Sequence, residues 1–535
     1  MNMLHNEILQ KKLGMKALNR AAAMPAFILC ALLFAACGAP AAQEYPPIPE
    51  ELLEISRRNR EAAQPPFHED FAKIVEGYMP RGLSFERDEE IAEILRRHFV
   101  SLPEGSRYRA ARPGVDLFVT RAREDLAEEV LFLFDLLRYG YGAYEYFGGD
   151  DVFLPRRDAA LERLGALAER VSVGRYLREI LEPAFRGAIE DNHFQIHDIT
   201  FGAPPSRAWM SGAYTLYRAE EGALEVAIGD ERYRLLGAEL RDGTPVEGVL
   251  PTLTRDGELA WAFGHFSGRP QGAEARSLTA FLQNVRTGEM MNYYVVLREA
   301  GGLRRSRESL ERVWDLREER GVALLDSAWF PLGEDFDAFI ETGSALRERP
   351  AAIIDLRGNS GGNGRISELW MIEYAGREGW DRMFAEYSMA SRAVGELFRH
   401  WDMDIDRYRP LAPPGLWPYY SATIDLPADA SGEGLLLVLM DSVAGSAGDL
   451  FAGFLRQLEN AIVVGTNTAG TLVSNGIGRA TLPHSGLDII FGTGLMLRPD
   501  LSQFEGVGFL PGLWVPSEEA LERALAFLAR HGLAE

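Results

Sequence analysis

Two short segments combine a serine, glycines and apolar runs in an order that can do chemistry. In Leu437-Val438-Leu439-Met440-Asp441-Ser442-Val443-Ala444-Gly445-Ser446-Ala447-Gly448-Asp449, a continuous apolar run ends in small residues around Ser446. In Ile353-Ile354-Asp355-Leu356-Arg357-Gly358-Asn359-Ser360-Gly361-Gly362, a similar run ends in paired glycines. Each reads as a buried strand running into a turn and then a helix. Small neighbours let a substrate carbonyl approach the Ser446 hydroxyl. The first N–H groups of the following helix point at the same place, where the helix dipole favours negative charge. The Ala447 N–H can therefore stabilise an oxyanion. Gly361 and Gly362 permit positive φ and close backbone approach, and can supply the second donor. A hydroxyl flanked by two such donors suits acyl transfer through a serine nucleophile. Each segment alone also has a plainer account: a serine before a helix is commonly an N-cap, and a glycine pair is a common turn.

The surrounding elements must place these turns side by side. Over residues 321–535, short apolar runs such as Val322-Ala-Leu-Leu, Ala352-Ile-Ile-Asp-Leu and Ala461-Ile-Val-Val-Gly alternate with helical stretches. Runs of this kind fit strands covered on both faces, and the alternation predicts an α/β catalytic domain. Within it, residues 366–430 read as an insertion rich in aromatic residues and proline, with Trp370, Trp380, Trp401, Trp417, Tyr419 and Tyr420. Residues 67–193 carry helical periodicity in Ile91–Arg97, Glu124–Leu137 and Asp158–Leu167. Residues 194–320 change to alternating runs with hairpin signals at Asp242-Gly243 and Asp256-Gly257, which predicts a β-rich module.

Composition narrows the function further. The formal net charge of −23 argues against nonspecific binding to nucleic acid or anionic lipid. Lys11, Lys12, Lys16 and Arg20 precede an apolar run from Ala21 to Ala36, and Cys37 follows Ala35-Ala36. Residues 1–36 thus read as a secretory signal, shorter in apolar length than a spanning helix requires. The cysteine after two alanines is similar to a bacterial lipobox; an ordinary signal with an incidental cysteine is the alternative. Lipid on Cys37 would tether the protein to a membrane in the bacterial cell envelope, on the periplasmic or extracellular side. The proline-rich residues 37–66 read as the tether. The other cysteine, Cys30, lies inside the signal, so the mature chain is expected to have no thiol nucleophile, disulfide or cysteine metal site.

Five pieces in order, the Asp355–Gly362 and Asp441–Gly453 segments, Val464–Gly470, Leu482–Leu487 and Phe504–Pro511, resemble the tail-specific, or C-terminal processing, serine protease family. The resemblance implies a crotonase-like ββα catalytic domain, Ser446 as nucleophile, a protein or peptide substrate and no cofactor. It fails at one position. The branch with a Ser-Lys dyad has its lysine just after the Thr-x-Gly turn, where this chain has Thr471, and no lysine occurs between Ser446 and Glu535. Threonine cannot act as the base near neutral pH. Another branch, which includes the tricorn protease core, uses Ser-His-Glu. Glu190-Asp191-Asn192-His193-Phe194 is similar to that family's Asp-Gly-His-Thr segment, and Glu505 stands in its Glu-Gly-x-Gly segment. The resemblance therefore implies His193 as base and Glu505 as the group that orients it. His197 shares a strand face with His193 if the strand continues, and the two with Asp191 and Asp198 raise the question of a metal, although no familiar ligand spacing is present. His484 is a further candidate base, and a structural role is the plain account of His193. The β-rich module stands where relatives carry a PDZ domain, but lacks a Gly-Leu-Gly-like carboxylate-binding turn. A family member that has kept the fold and lost catalysis, binding peptide or glycan, is the competing expectation.

Overall fold

The run Leu435–Met440 has no polar face because it has no solvent face: all six residues are buried. The computed structural model pairs it in parallel with Ala351–Asp355 on one side and Ala461–Gly465 on the other. Leu436, Val438 and Met440 enter one hydrophobic cluster, and Leu435, Leu437 and Leu439 enter another. Helices Arg365–Ala375 and Ala447–Leu455 cover the first cluster through Trp370, Phe451 and Leu455. The C-terminal helix Ala520–Arg530 covers the second through Ala524, Leu525 and Leu528. The complete sheet runs in the order Trp314–Glu319, Val322–Ser327, Ala351–Asp355, Leu435–Met440, Ala461–Gly465, Leu513–Trp514. Only the first pair is antiparallel.

The structure describes residues 50, 54, 55, 57, 58, 66, 68–100, 114–267, 276–302, 313–330, 335–375, 385–399, 414–420 and 434–535. The expected signal, Cys37 and most of the expected tether lie outside these residues, as do Trp380 and Trp401. Helix Arg365–Ala375, where the aromatic insertion was expected to begin, is part of the layer covering the parallel sheet. Its Trp370 is buried, and the indole N–H donates to Thr342 Oγ1 at 2.9 Å on helix Asp335–Arg347.

A second sheet is antiparallel, in the order Gly415–Tyr420, Ala385–Ala390, Asp488–Leu497, Asp191–Ile196, Ile199–Phe201, with Ser474–Thr481 also paired to Asp488–Leu497. The helices Arg123–Gly140 and Gly149–Gly165 pack on it. Leu133, Leu137, Phe153, Phe194 and Phe491 share one core, so the helical N-terminal part and the C-terminal sheet are stabilised together. The approach is close at Gly142, where a Cβ would stand 2.4 Å from the Gly494 backbone. Larger side chains would push the two apart. A third sheet is nine-stranded and antiparallel between Arg207 and Glu299, with its own core of Leu216, Val226, Phe263 and Leu282. Among the described residues from 199 to 330 there is no α-helix. No described helix is long and apolar enough to cross a membrane.

Candidate active site

Loops at the C-terminal ends of the parallel strands Ala351–Asp355, Leu435–Met440 and Ala461–Gly465 converge, as expected where open α/β sheets place their ligands. Ser446 opens helix Ala447–Leu455 with φ +57° and ψ −119°. That conformation is strained for a residue with a Cβ, costing about 1–3 kcal/mol. Asp449 holds it. This buried carboxylate accepts the N–H of Ser446 at 2.9 Å, of Gly470 at 3.0 Å and of Thr471 at 2.8 Å. The Thr468 hydroxyl also bonds to it. Burial raises the Asp449 carboxyl to about 6, against the opposing pull of those donors. Sequence reasoning did not single out Asp449; its signal was an acidic residue three positions beyond a serine that opens a helix. Thr471, where a Ser-Lys enzyme has its lysine, contributes this N–H to the turn.

Asn359 laces the two turns together. Its carbonyl accepts the Gly445 N–H at 2.9 Å, and its side-chain oxygen accepts the Gly361 N–H at 2.8 Å. Its amide nitrogen donates to the carbonyl and the hydroxyl of Ser327, each at 3.1 Å. The glycine requirement is direct: at Gly361, φ is +110° and a Cβ would stand 2.9 Å from Ser446 Cβ and 3.3 Å from the Ala447 nitrogen. Of the three expected oxyanion donors, Gly361 commits its N–H to Asn359 and is corrected to a spacer. For the N–H groups of Gly362 and Ala447, no acceptor is found among the described residues.

His193 reaches this turn from the other sheet. The pairing of Asp191–Ile196 with Ile199–Phe201 breaks register between Asp191 and Gln195, an irregularity of the kind that re-aims a side chain. Nε2 of His193 lies 3.0 Å from Ser446 Oγ, and Nδ1 lies 2.8 Å from the carbonyl oxygen of Ser474. A carbonyl only accepts, so Nδ1 carries the proton and Nε2 is left to accept from the serine. Burial lowers the imidazole pKa, while Asp191 and the Ser474 carbonyl act in the opposite direction.

Glu505 does not occupy the place expected for it. Its carboxylate accepts the Asn192 N–H at 2.7 Å, the Leu472 N–H at 3.0 Å and the Val473 N–H at 2.9 Å. It clamps the strand that carries His193 to the segment leading to Ser474, and a backbone carbonyl takes the position next to Nδ1. Burial, and then Asp191, push the Glu505 carboxyl well above the usual range. Asp191, buried one layer behind His193, accepts the His193 N–H at 2.8 Å, the Tyr141 hydroxyl at 2.8 Å and the Ser474 hydroxyl at 2.6 Å.

The rival histidines lie elsewhere. The strand ends at Ile196, and His197 follows at φ +53°, so the shared face expected for the two histidines does not form. His484 sits on a turn whose backbone N–H donates to Glu129 at 2.6 Å, with its ring 3.8 Å from Glu128. Among the described residues, no group of three or more His, Cys, Asp or Glu side chains is arranged to hold a metal.

Residues 322–513 match the model for peptidase family S41. No curated protein matches the chain. Among solved structures, mature CPAF is 13% identical over 77% of this chain and 96% of its own, with a TM-score of 0.36. The photosystem II D1 C-terminal processing protease is 11% identical over 75% of this chain and 97% of its own, at 0.34. A lipoprotein from Streptococcus agalactiae is 12% identical over 78% of this chain and 99% of its own, at 0.35. The match over residues 322–513 is to a peptidase family, and the protein is a serine-type peptidase.

Proposed function

We propose that this peptidase is an endopeptidase that cleaves peptide bonds through an acyl-enzyme on Ser446, with His193 as general base and acid. Ser446 Oγ attacks the scissile carbonyl carbon as its proton passes to His193 Nε2. The oxyanion is received by the N–H groups of Gly362 and Ala447. His193 then gives the proton to the leaving amine, and the C–N bond breaks. Water, deprotonated by His193, releases the acid product and restores Ser446. Throughout, Nδ1–H stays on the Ser474 carbonyl, which keeps the ring in the tautomer that the first step needs.

The observation that carries this reading is the 3.0 Å contact between His193 Nε2 and Ser446 Oγ. It joins the base of the Ser-His-Glu branch to the serine, with Glu505 acting through the backbone. It also counts against a binding protein that has lost catalysis, for which neither the strained serine nor the aligned histidine has a use. The α/β half is read as the crotonase-like catalytic domain, on the strength of its parallel strands and the serine helix. Anchoring to the bacterial envelope through lipid on Cys37 belongs to the same reading and is supported by the sequence of residues 11–38.

The test is labelling by a serine-directed phosphonate. Attachment at Ser446 in the wild type, its loss in Ser446→Ala, and a fall of several orders of magnitude in kcat for that variant are expected. A folded wild-type protein that takes no label and cleaves no peptide would refute the proposal.

A further inference from the structure

We infer that Asp191, and not Glu505, is the carboxylate whose charge supports His193 when the ring takes up a proton. This rests on the reading of Ser446 and His193 above and deepens it: it assigns the anionic part of the site to a positioning residue that touches neither the ring nor the substrate.

The argument is one of connectivity. Asp191 reaches His193 by two short routes. One oxygen accepts the N–H of His193 itself at 2.8 Å. The other accepts the hydroxyl of Ser474 at 2.6 Å, and the carbonyl of that same residue holds Nδ1 at 2.8 Å. The Tyr141 hydroxyl, on helix Arg123–Gly140, closes the second oxygen at 2.8 Å. The hydrogen bonds that reach Asp191 from His193, Tyr141 and Ser474 all come from donors, so both of its oxygens act as acceptors. When His193 becomes imidazolium, its positive charge develops beside this buried anion, where little solvent screens the attraction.

Glu505 is connected differently. Its three partners are backbone N–H groups of Asn192, Leu472 and Val473. These fix where the histidine strand and the Ser474 segment lie, but none belongs to His193 or Ser474. The ionisable groups gathered here are Asp191 on the histidine's own strand, Tyr141 and Tyr146 beside it, Glu505 from the loop after Phe504, and Asp449 behind Ser446. Of them, Asp191 is the one that acts directly on the imidazole, and it favours the protonated ring.

The experiment follows the His193 ring by NMR, in protein carrying ¹³Cε1-labelled histidine and Ser446→Ala, with the resonance assigned by His193→Gln. Asp191→Asn is expected to move the His193 midpoint down by about one pH unit, and Glu505→Gln to move it far less. In the enzyme with Ser446 intact, the acid limb of kcat/KM moves down with Asp191→Asn; a merely structural role would lower the rate at every pH and leave that limb in place. A midpoint unmoved by Asp191→Asn, or moved as far by Glu505→Gln, overturns the assignment. If Asp191→Asn fails to fold, Ser474→Ala serves instead. It removes one donor from the Asp191 carboxylate and keeps the 474 carbonyl, so the charge is less neutralised and the midpoint is expected to rise; an unmoved midpoint again overturns the assignment. The titration needs no catalysis, so its outcome is separate from phosphonate labelling of Ser446, which tests the peptidase mechanism.

Discussion

Nδ1 of His193 donates to the carbonyl oxygen of Ser474 across 2.8 Å, in the place where a serine peptidase triad has a carboxylate. A carbonyl fixes the tautomer and orientation of the ring but brings no full negative charge. In the proposed mechanism this leaves Nε2 of the histidine free to accept the Ser446 proton, with the charged form stabilised from one layer further back.

The pH dependence of catalysis follows from that arrangement. Burial is the largest influence on His193 and lowers its pKa, with Asp191 and the Ser474 carbonyl opposing. In the proposed mechanism the neutral ring is the active form, so the acid limb of kcat/KM is expected below the ordinary histidine value of ~6.5. His193→Gln should remove that limb and lower kcat by about a thousandfold or more. Rates measured across pH on a peptide substrate check both; a limb above the ordinary value would contradict the burial argument.

Asp449 should leave a mark on stability. Its carboxyl titrates at about 6 in the folded protein, against ~3.9 when unfolded. Between those values the native state binds more protons than the unfolded state, so this group lowers stability as pH rises from ~4 to about 6, and the cost is complete above that range. Urea midpoints across this window should fall more steeply in the wild type than in Asp449→Asn. One carboxylate oxygen accepts both the Ser446 and Thr471 N–H groups and the other accepts the Gly470 N–H; the amide has only one oxygen and turns a donor toward one of these sides, so the variant is also expected to lose about tenfold or more in kcat.

Gly361→Ala tests the close approach of the two turns. The new Cβ would stand 2.9 Å from Ser446 Cβ and 3.0 Å from the Gly445 carbonyl, on a residue held at φ +110°. Neither backbone nor side chain can yield without moving Ser446. A destabilisation of about 1–3 kcal/mol is expected from the backbone conformation alone, together with a near-complete loss of phosphonate labelling. Thermal melts and labelling rates on the same preparation separate the two effects.

Asn359→Ala removes the side-chain lock and keeps the carbonyl that receives Gly445. Gly361 loses its acceptor and Ser327 loses its donor. The glycine turn is then free to shift, and the donor expected from Gly362 leaves its position. We expect kcat to fall by about tenfold to a hundredfold with KM nearly unchanged, as for a loss felt mainly in the transition state. Steady-state kinetics decide it: a change confined to KM would assign Asn359 to substrate binding.

Much of the fold was legible because burial on both faces leaves a mark on composition. Leu435–Met440 and Ala461–Gly465 are apolar throughout since helices cover each side of the sheet. The serine turn was legible for a related reason. Only small residues can crowd there, and Gly448 shows why: a Cβ at that position would meet the Asn359 carbonyl at 2.8 Å. The covering helix Arg365–Ala375 was obscured by its aromatic content, which resembles that of the insertion it was assigned to.

The amino-acid sequence by itself determined the local chemistry: a serine among small residues at a helix entry, glycines where backbones nearly touch, and no lysine after the serine that could act as base. Tertiary structure decided the partners. His193 and Ser446 are 253 residues apart and meet because two sheets are brought together at their loops. Ser474, not Glu505, receives Nδ1, and Asn359 takes the Gly361 N–H. The physical reason is that these choices are made by backbone carbonyls and N–H groups, which every residue but proline carries alike. Side-chain identity does not distinguish one carbonyl from another; only their placement in space does.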